Sequence, residues 1–345
     1  MPDGRSHGGR TAQTTRLAPS PTGALHLGNV RTFLVNWAMA RRAGWRVVLR
    51  IEDLDGPRVK AGAAERTVET LRWLGMDWDE GPLVQSADLE PYREAMRVLA
   101  RAGRVYPSEV TRGEIEASAS APQEGVGESV FPAALRPEVI PREFNERMRH
   151  EGTKARRHEG SEKRDEEGGT NWRMVVEAGA VEFVDGFRGP QALEPAKSVG
   201  DFVVWTKRGV PAYQLAVVVD DHRQGVTKVV RGDDLLDSAA RQLLVYRALG
   251  YGPEPSYTHL PLVRGADGRR LAKRHGDTRV EHYRALGVRP ERVVGLAAWW
   301  SGVGGPNARP TEVSAAEFAA GFGLDTMGRS DVVYRPEDDA WLRAR

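Results

Sequence analysis

No cysteine occurs among the 345 residues. Disulfides, thiolate nucleophiles and every Cys-ligated metal centre are therefore excluded, and a cytoplasmic location is expected. Long apolar runs are also missing. The longest aliphatic stretch, Leu215-Ala216-Val217-Val218-Val219, falls far short of the ~20 residues that span a bilayer, so no membrane partner is expected. The first fifteen residues hold no apolar run of the secretory kind. Neither sign of charge is in excess: 50 Lys and Arg face 48 Asp and Glu, a net charge of +2. A nucleic-acid partner would have to be held by a local basic surface, because the whole-molecule field offers little steering.

What remains is an ordinary globular composition, 40% hydrophobic and 28% charged, in a chain long enough for about two domains. Residues 1–14 are polar and Gly-rich without periodicity and read as a disordered leader. From Arg16 to about Tyr106, strand and helix signals alternate. Leu27, Val30, Phe33, Leu34, Trp37 and Ala38 keep helical spacing, Trp45–Ile51 reads as a strand, and Glu65–Leu74 and Pro91–Ala102 read as helices. This succession predicts βαβ units and a parallel sheet. Between about Ser108 and Gly200 the text changes. Residues 117–142 are rich in Ala, Ser, Pro and Gly, and 149–167 mix acidic and basic side chains as a solvated loop or exposed helix does. Arg173–Asp185 and Phe202–Val219 have strand composition, with turns at Glu177–Gly179 and Lys207–Gly209. Helix is expected again at Leu235–Leu249, strand at Thr258–Val263, and helix from Val280 to the Gly304-Gly305-Pro306 break.

The chemistry-bearing text begins with Arg16-Leu17-Ala18-Pro19-Ser20-Pro21-Thr22-Gly23-Ala24-Leu25-His26-Leu27-Gly28-Asn29. Here a strand delivers a tight Pro/Gly turn onto a helix N-terminus, whose free backbone N–H groups and positive dipole end favour an anion such as a phosphate. His26 stands where a donor reaches a phosphate oxygen, and Gly28 lets a base or phosphate approach the backbone.

This segment resembles the HIGH signature of class I aminoacyl-tRNA synthetases in the form used by their glutamyl branch. Glu52-Asp53-Leu54-Asp55 is similar to the branch's acidic element. Tyr213–Asp221 and Val230-Arg231-Gly232-Asp233-Asp234-Leu235-Leu236 match two further elements, and Arg270-Leu271-Ala272-Lys273-Arg274 stands in the place of the KMSKS loop. The resemblance implies a Rossmann-like parallel-sheet α/β catalytic domain in two halves, 15–107 and 201–275. An α+β insertion at 108–200 would interrupt it, and a small helical cap, 276–345, would follow.

The resemblance assigns L-glutamate contacts to Arg16, Leu17, Ala18, Pro19, Ser20, Glu52, Tyr213 and Arg231. Glutamate carries two carboxylates and one ammonium. Arg16 and Arg231 can each fork onto a carboxylate, Glu52 can pair the ammonium, and Tyr213 can hydrogen-bond the ligand from a strand. ATP contacts are expected at His26, Gly28, Asn29 and Lys273, with Mg²⁺ carried on the phosphates and no dedicated metal cage in the protein. Activation by in-line attack on the α-phosphorus needs positioning and electrostatics and no side-chain nucleophile.

Two departures stand out. Arg270 and Ala272 replace the Lys and Ser usual in the loop, while Lys273 is kept. Members of the branch often hold zinc through Cys-rich ligands near the positions of Ser108, Val110 and Ser129–Ala134; without thiolates zinc is not expected here, and the insertion is expected to rest on packing alone or to be less ordered. His150 and His158 fall in charged text, His222 and His282 read as surface residues, and His275 follows the loop lysine.

After Lys273 only 72 residues follow, too few for a separate anticodon-binding domain. The resemblance therefore points to a shortened member, expected to be a monomer, that activates glutamate without tRNA and transfers it to queuosine in the anticodon of tRNA(Asp). A shortened ligase charging a tRNA acceptor end and an inactive RNA-binding paralogue are the alternatives.

Overall fold

The structure is a computed structural model and describes residues 13–21, 23–56, 59–111, 114–115, 130–145, 169–269, 271, 277–305 and 308–344. The leader up to residue 12, the mixed-charge run at 149–167 with His150 and His158, and Arg270, Ala272, Lys273, Arg274 and His275 lie outside the described residues. The chain divides into two compact units, one of residues 1–83, 225–233 and 255–345, the other of 84–224 and 234–254.

The first unit is built on a five-stranded sheet. Its strands are β1 (Thr14–Leu17), β2 (Arg46–Ile51), β3 (Glu80–Val84), β9 (Lys228–Gly232) and β10 (Ser256–Leu260), in the order β10-β9-β1-β2-β3. The pairs β10–β9, β9–β1 and β1–β2 are parallel, as the alternating text predicts. β1 starts at Thr14, within the segment read as leader, and the Arg46 N–H donates to Gln13 O at 2.9 Å.

Helix α1 (Leu27–Ala43) ends where Gly44 takes a left-handed conformation, φ 69°, that a Cβ would strain. It lies on one face of the sheet, where the buried Thr15 hydroxyl donates to Asn36 Oδ1 at 2.8 Å and Asn36 Nδ2 donates to Arg16 O at 2.9 Å. Arg31 is buried in the same helix and donates through Nη1 to Pro261 O at 2.7 Å. Burial pulls its pKa down to about 10, against the opposing pull of Asp331 and Asp233. Helix α2 (Ala63–Trp73) connects β2 to β3.

Beyond β10 the sequence predicts one helix from Val280, and the structure has two, α7 (Val280–Ala285) and α8 (Pro290–Trp300). Gly287 at φ 78° stops the first and Pro290 opens the second at a position where its missing N–H costs nothing. Helix α9 (Ala315–Gly321) packs on α1 and opens with a capping box of Ser314 and Glu317. The C-terminal cap also contributes a strand. β12 (Val332–Val333), ahead of α10 (Pro336–Arg343), pairs in parallel with β11 (Val263–Arg264). Beside that pair Asp331 accepts from the Leu262 N–H at 2.8 Å and pairs with Arg264.

The second unit holds α3 (Glu90–Arg101), β4 (Val105–Ser108), β5 (Asn171–Met174), the antiparallel hairpin β6 (Val181–Asp185) with β7 (Gly189–Leu193), α4 (Pro195–Ser198), β8 (Val203–Trp205), α5 (Tyr213–Arg223) and α6 (Leu236–Leu249). β4, β5 and β8 form an antiparallel sheet. Trp172 and Trp205 are buried on it, with the Phe144 ring edge-on to both at 5.1 and 5.2 Å.

The strand reading of Phe202–Val219 holds for β8 and fails for its second half. Tyr213–Val219 is helical, the start of α5, because Gln214 to Asp221 are all buried. A helix covered on every side shows no 3.6-residue polar stripe, and its Val217-Val218-Val219 run imitates a strand. At its end the buried Asp220 carboxylate accepts from Gln85 Nε2 at 2.8 Å and Tyr92 Oη at 2.9 Å, fastening α3 to α5.

The expectation that the insertion rests on packing alone is also corrected. Asp201, 1% exposed, accepts from Tyr106 Oη at 2.7 Å, from Arg136 Nε and Nη2 at 2.9 and 2.8 Å, and from the Val176 N–H at 2.8 Å. Burial, and then the bond to Asp201, push the Tyr106 phenol well above its ordinary pKa. An apolar cluster of Tyr106, Ile115, Phe131 and Val175, with Val110, Leu135 and Ile140 against it, completes the support. Ser108 is buried at the end of β4.

Candidate functional site

The register of the parallel sheet decides which expected contacts share a face. Arg16 on β1 is in register with Val48 on β2, and side chains two residues apart on a strand point the same way. Arg50 therefore shares the face of Arg16, and Glu52 continues it just past the strand end. On the other side Thr15 is in register with Lys228, which aligns Arg16 with Val229 and puts Arg231 on the same face. Arg231 is in register with His259, and Val229 with Tyr257. One face of β10-β9-β1-β2 thus collects His259, Tyr257, Arg231, Arg16, Arg50 and Glu52, opposite the face that carries Thr15 and α1.

The charges on this face are held tightly. Arg16 and Arg231 are buried, and Arg50 is wholly so. Arg50 Nη2 lies 3.1 Å from Glu52 Oε1, an ion pair that leaves Glu52 slightly exposed. Arg231 Nε donates to His259 Nε2 at 3.0 Å, and its guanidinium carbon lies 5.2 Å from the centre of the Tyr257 ring. The Glu52 N–H donates to Pro19 O at 3.0 Å, which fixes the Ala18–Ser20 turn against the end of β2. In that segment Leu17 and Pro19 are buried and Ser20 is exposed.

The expected ATP contacts cluster at the start of α1. His26 is the N-cap residue, in extended conformation and without a side-chain cap, and the first turn contains no acidic residue. The N–H groups of Gly28 and Asn29 belong to that first turn, which has no carbonyl of its own to receive them. His26 Nδ1 is 3.0 Å from Thr278 Oγ1, the Leu27 N–H donates to Thr278 O at 3.1 Å, and the Val280 N–H donates to Leu25 O at 2.9 Å. Residues 278–280 therefore lie directly against the helix start. A Cβ at Gly28 would stand 3.4 Å from Val263 Cβ, an ordinary contact.

Arg16, Glu52 and Arg231 thus come together on one face, and His26, Gly28 and Asn29 together at one helix end. Tyr213 belongs to the second unit, where it is the first residue of α5 and 40% exposed, so it presents its hydroxyl from a helix start and not from a strand. Lys273 is outside the described residues. His222 stacks on Tyr251 at 3.8 Å, and His282 Nδ1 lies 3.4 Å from Asp277. Sequence reasoning passed over Arg50, Tyr257 and His259. Arg50 was detectable as the i−2 neighbour of Glu52 on a strand, and His259 lies in a segment read as a strand beside an arginine-bearing one. Among the described residues no group of His, Asp and Glu stands in a metal-holding arrangement, and no helix is long and apolar enough to cross a membrane.

The chain is similar to known proteins in sequence and in fold. Residues 13–299 match the family described as tRNA synthetases class I (E and Q), catalytic domain. The glutamyl-Q tRNA(Asp) synthetase of Rhodopirellula baltica is 48% identical over 84% of this chain and 84% of its own length. The protein of that name from Symbiobacterium thermophilum is 44% identical over 92% of this chain and 94% of its own. A crystal structure of a glutamate tRNA ligase from Elizabethkingia meningosepticum, in complex with its amino acid, superposes with a TM-score of 0.71 at 25% identity, covering 96% of this chain and 69% of that one. With the parallel sheet, the HIGH-like turn and a match over most of its length, the chain belongs to the class I tRNA synthetases (E and Q).

Proposed function

We propose that this chain is an ATP-dependent ligase that activates L-glutamate without tRNA and transfers it to queuosine in the anticodon of tRNA(Asp). The observation that carries the amino-acid half is the sheet face on which Arg16, Arg231 and Glu52 stand together. It offers two cations and one anion to a ligand bearing two anions and one cation. The RNA half rests on the name shared by the relatives at 48% and 44% identity, which this chain covers to 84% and 94% of their length. Glutamate--tRNA ligases match at 36% and 39% identity, and the chain covers only 66% and 55% of theirs.

In this reading Arg16 and Arg231 hold the two carboxylates and Glu52 the ammonium. Leu17 to Ser20 frame the ligand with backbone groups, and Tyr213 adds a hydroxyl from the start of α5. His26, Gly28, Asn29 and Lys273 hold ATP, and the dipole of α1 favours its phosphates. The glutamate α-carboxylate oxygen attacks the α-phosphorus while the bond to the bridging oxygen breaks, giving glutamyl-adenylate and pyrophosphate. A hydroxyl of the queuosine cyclopentene-diol then attacks the activated carbonyl, loses its proton, and expels AMP. Mg²⁺ supplies charge neutralisation on the triphosphate and is carried by ATP. Residues 108–200 form the insertion between the catalytic halves, and the protein works as a cytoplasmic monomer.

The test is ATP–pyrophosphate exchange with glutamate in the absence of tRNA, followed by transfer of labelled glutamate to tRNA(Asp) with and without queuosine. Exchange without tRNA and label only on the queuosine-containing tRNA are expected. Strict dependence of exchange on tRNA would assign the chain to acceptor-end charging. Absence of adenylate under all conditions would make it an inactive RNA-binding relative.

A further inference from the structure

Arg231 does not stand alone on its face. Its Nε–H points to His259 Nε2 at 3.0 Å, and the two residues are directly in register on neighbouring parallel strands. His259 is wholly buried. Tyr257, two residues earlier on the same face, lies with its ring 5.9 Å from the His259 ring at an interplanar angle of 11°, and 5.2 Å from the Arg231 guanidinium carbon. The guanidinium is thus bounded by an acceptor at Nε and an aromatic face.

We propose that His259 is a positioning residue for substrate recognition, orienting Arg231 so that its Nη end meets the side-chain or α-carboxylate of the amino acid. The inference rests on the reading of Arg231 as a glutamate contact. An imidazole that accepts at Nε2 must carry its proton on Nδ1; a doubly protonated ring would set N–H against N–H. His259 therefore serves as a neutral acceptor. Its bond occupies Nε–H, so side-on pairing through Nε and one Nη gives way to end-on pairing through the two Nη groups. An arginine on a strand has several rotatable bonds, and the order imposed before the ligand arrives is order that binding need not supply.

The experiment compares the full-length wild type with His259→Leu and His259→Gln in glutamate-dependent ATP–pyrophosphate exchange. Leucine removes the acceptor at similar volume, and glutamine returns an acceptor oxygen near the Nε2 position. For His259→Leu the KM for glutamate should rise about tenfold or more while the KM for ATP stays within about twofold, as loss of one charge-assisted bond predicts. His259→Gln should restore the glutamate KM to within about threefold of wild type. Equal rises in both KM values, or failure of His259→Gln to rescue while its melting matches wild type, would overturn the proposal.

A second readout separates this from failure of the functional reading. If the wild type shows no glutamate-dependent exchange, the role of Arg231 as a glutamate contact is refuted, and the positioning role with it. The pairing itself is read from histidine ¹⁵N spectra, with the His259 signals assigned by their loss in His259→Gln. Wild type should show an unprotonated Nε2 whose resonance moves in Arg231→Met. An Nε2 that carries the proton, or a resonance indifferent to Arg231→Met, would refute the pairing whatever the activity.

Discussion

Arg50 and Glu52 sit two residues apart on one line of the sheet face, with guanidinium and carboxylate 3.1 Å apart and the arginine wholly buried. The carboxylate proposed to receive the substrate ammonium is thus already oriented by a neighbour that water does not reach. Removing one member of such a pair leaves a buried charge uncompensated, at a cost of ~3–5 kcal/mol. Arg50→Met should lower stability by about that amount in urea melts and raise the glutamate KM more than the ATP KM. Glu52→Gln keeps an acceptor oxygen for Arg50 but removes the charge that compensates it, so it should also lose stability, by up to ~3–5 kcal/mol. Where it is still folded, its exchange activity should fall at least about a hundredfold, because the ammonium loses its counter-charge. An active Glu52→Gln would remove Glu52 from the site.

Asp201 answers for the insertion as Arg50 does for the sheet face. Its carboxylate takes a bidentate arginine, a phenol and a backbone N–H within 3 Å while buried. Asp201→Ala strands Arg136 and leaves Tyr106 and Val176 without their acceptor, so a loss of ~3–5 kcal/mol is expected. Tyr106→Phe deletes one bond and should cost ~1–3 kcal/mol. Limited proteolysis should cut the Asp201→Ala chain faster within 108–200. Equal rates for the variant and the wild type would show that the apolar cluster suffices.

How much of this was legible beforehand depended on whether a residue's neighbours lie close in sequence. Arg16, His26 and Gly28 belong to one continuous strand–turn–helix, and Glu52 follows a strand of clear composition, so the place of each in the fold is legible in the sequence. Tyr213 reads as part of a strand and stands at the start of a helix, because a helix buried on all sides carries no polar stripe. His259 and Arg231 are 28 positions apart and meet only through strand register, and Asp201 meets Tyr106 across 95. Such pairs become visible only once the sheets are ordered. The β11–β12 pairing of the C-terminal cap is of the same kind.

Asp277 gives a prediction in pH. It stands beside Thr278, whose hydroxyl lies 3.0 Å from His26 Nδ1 and whose carbonyl accepts from the Leu27 N–H. The bond from Arg279 lowers its pKa from 3.8 to about 2, against a smaller opposing effect of burial. A carboxylate whose folded pKa lies below its unfolded value contributes stability above the unfolded pKa and loses it as pH falls through the folded one. The contribution is therefore complete above about pH 4 and gone near pH 2. Because the pair is partly exposed, Asp277→Asn should cost about 1 kcal/mol or less at pH 7. In urea melts the gap between variant and wild type should close between about pH 4 and pH 2. A gap that stays constant over that range would count against the pair.

Gly28 separates the fold from the ligand at the start of α1. An added Cβ would meet Val263 Cβ at 3.4 Å, a contact the protein accommodates without rearrangement. Alanine is also the better helix residue, by as much as ~1 kcal/mol. On the protein's own account Gly28→Ala should therefore melt at or slightly above the wild-type temperature. The nucleotide proposed to lie against this first turn would feel the methyl group instead, because the absence of a Cβ is what lets a base or phosphate reach the backbone. The ATP KM in exchange assays should rise about tenfold, with the glutamate KM within about twofold of wild type. Unchanged ATP kinetics in the stable variant would mean that the nucleotide does not approach Gly28, and the assignment of His26, Gly28 and Asn29 to ATP would have to move off this face of the helix start.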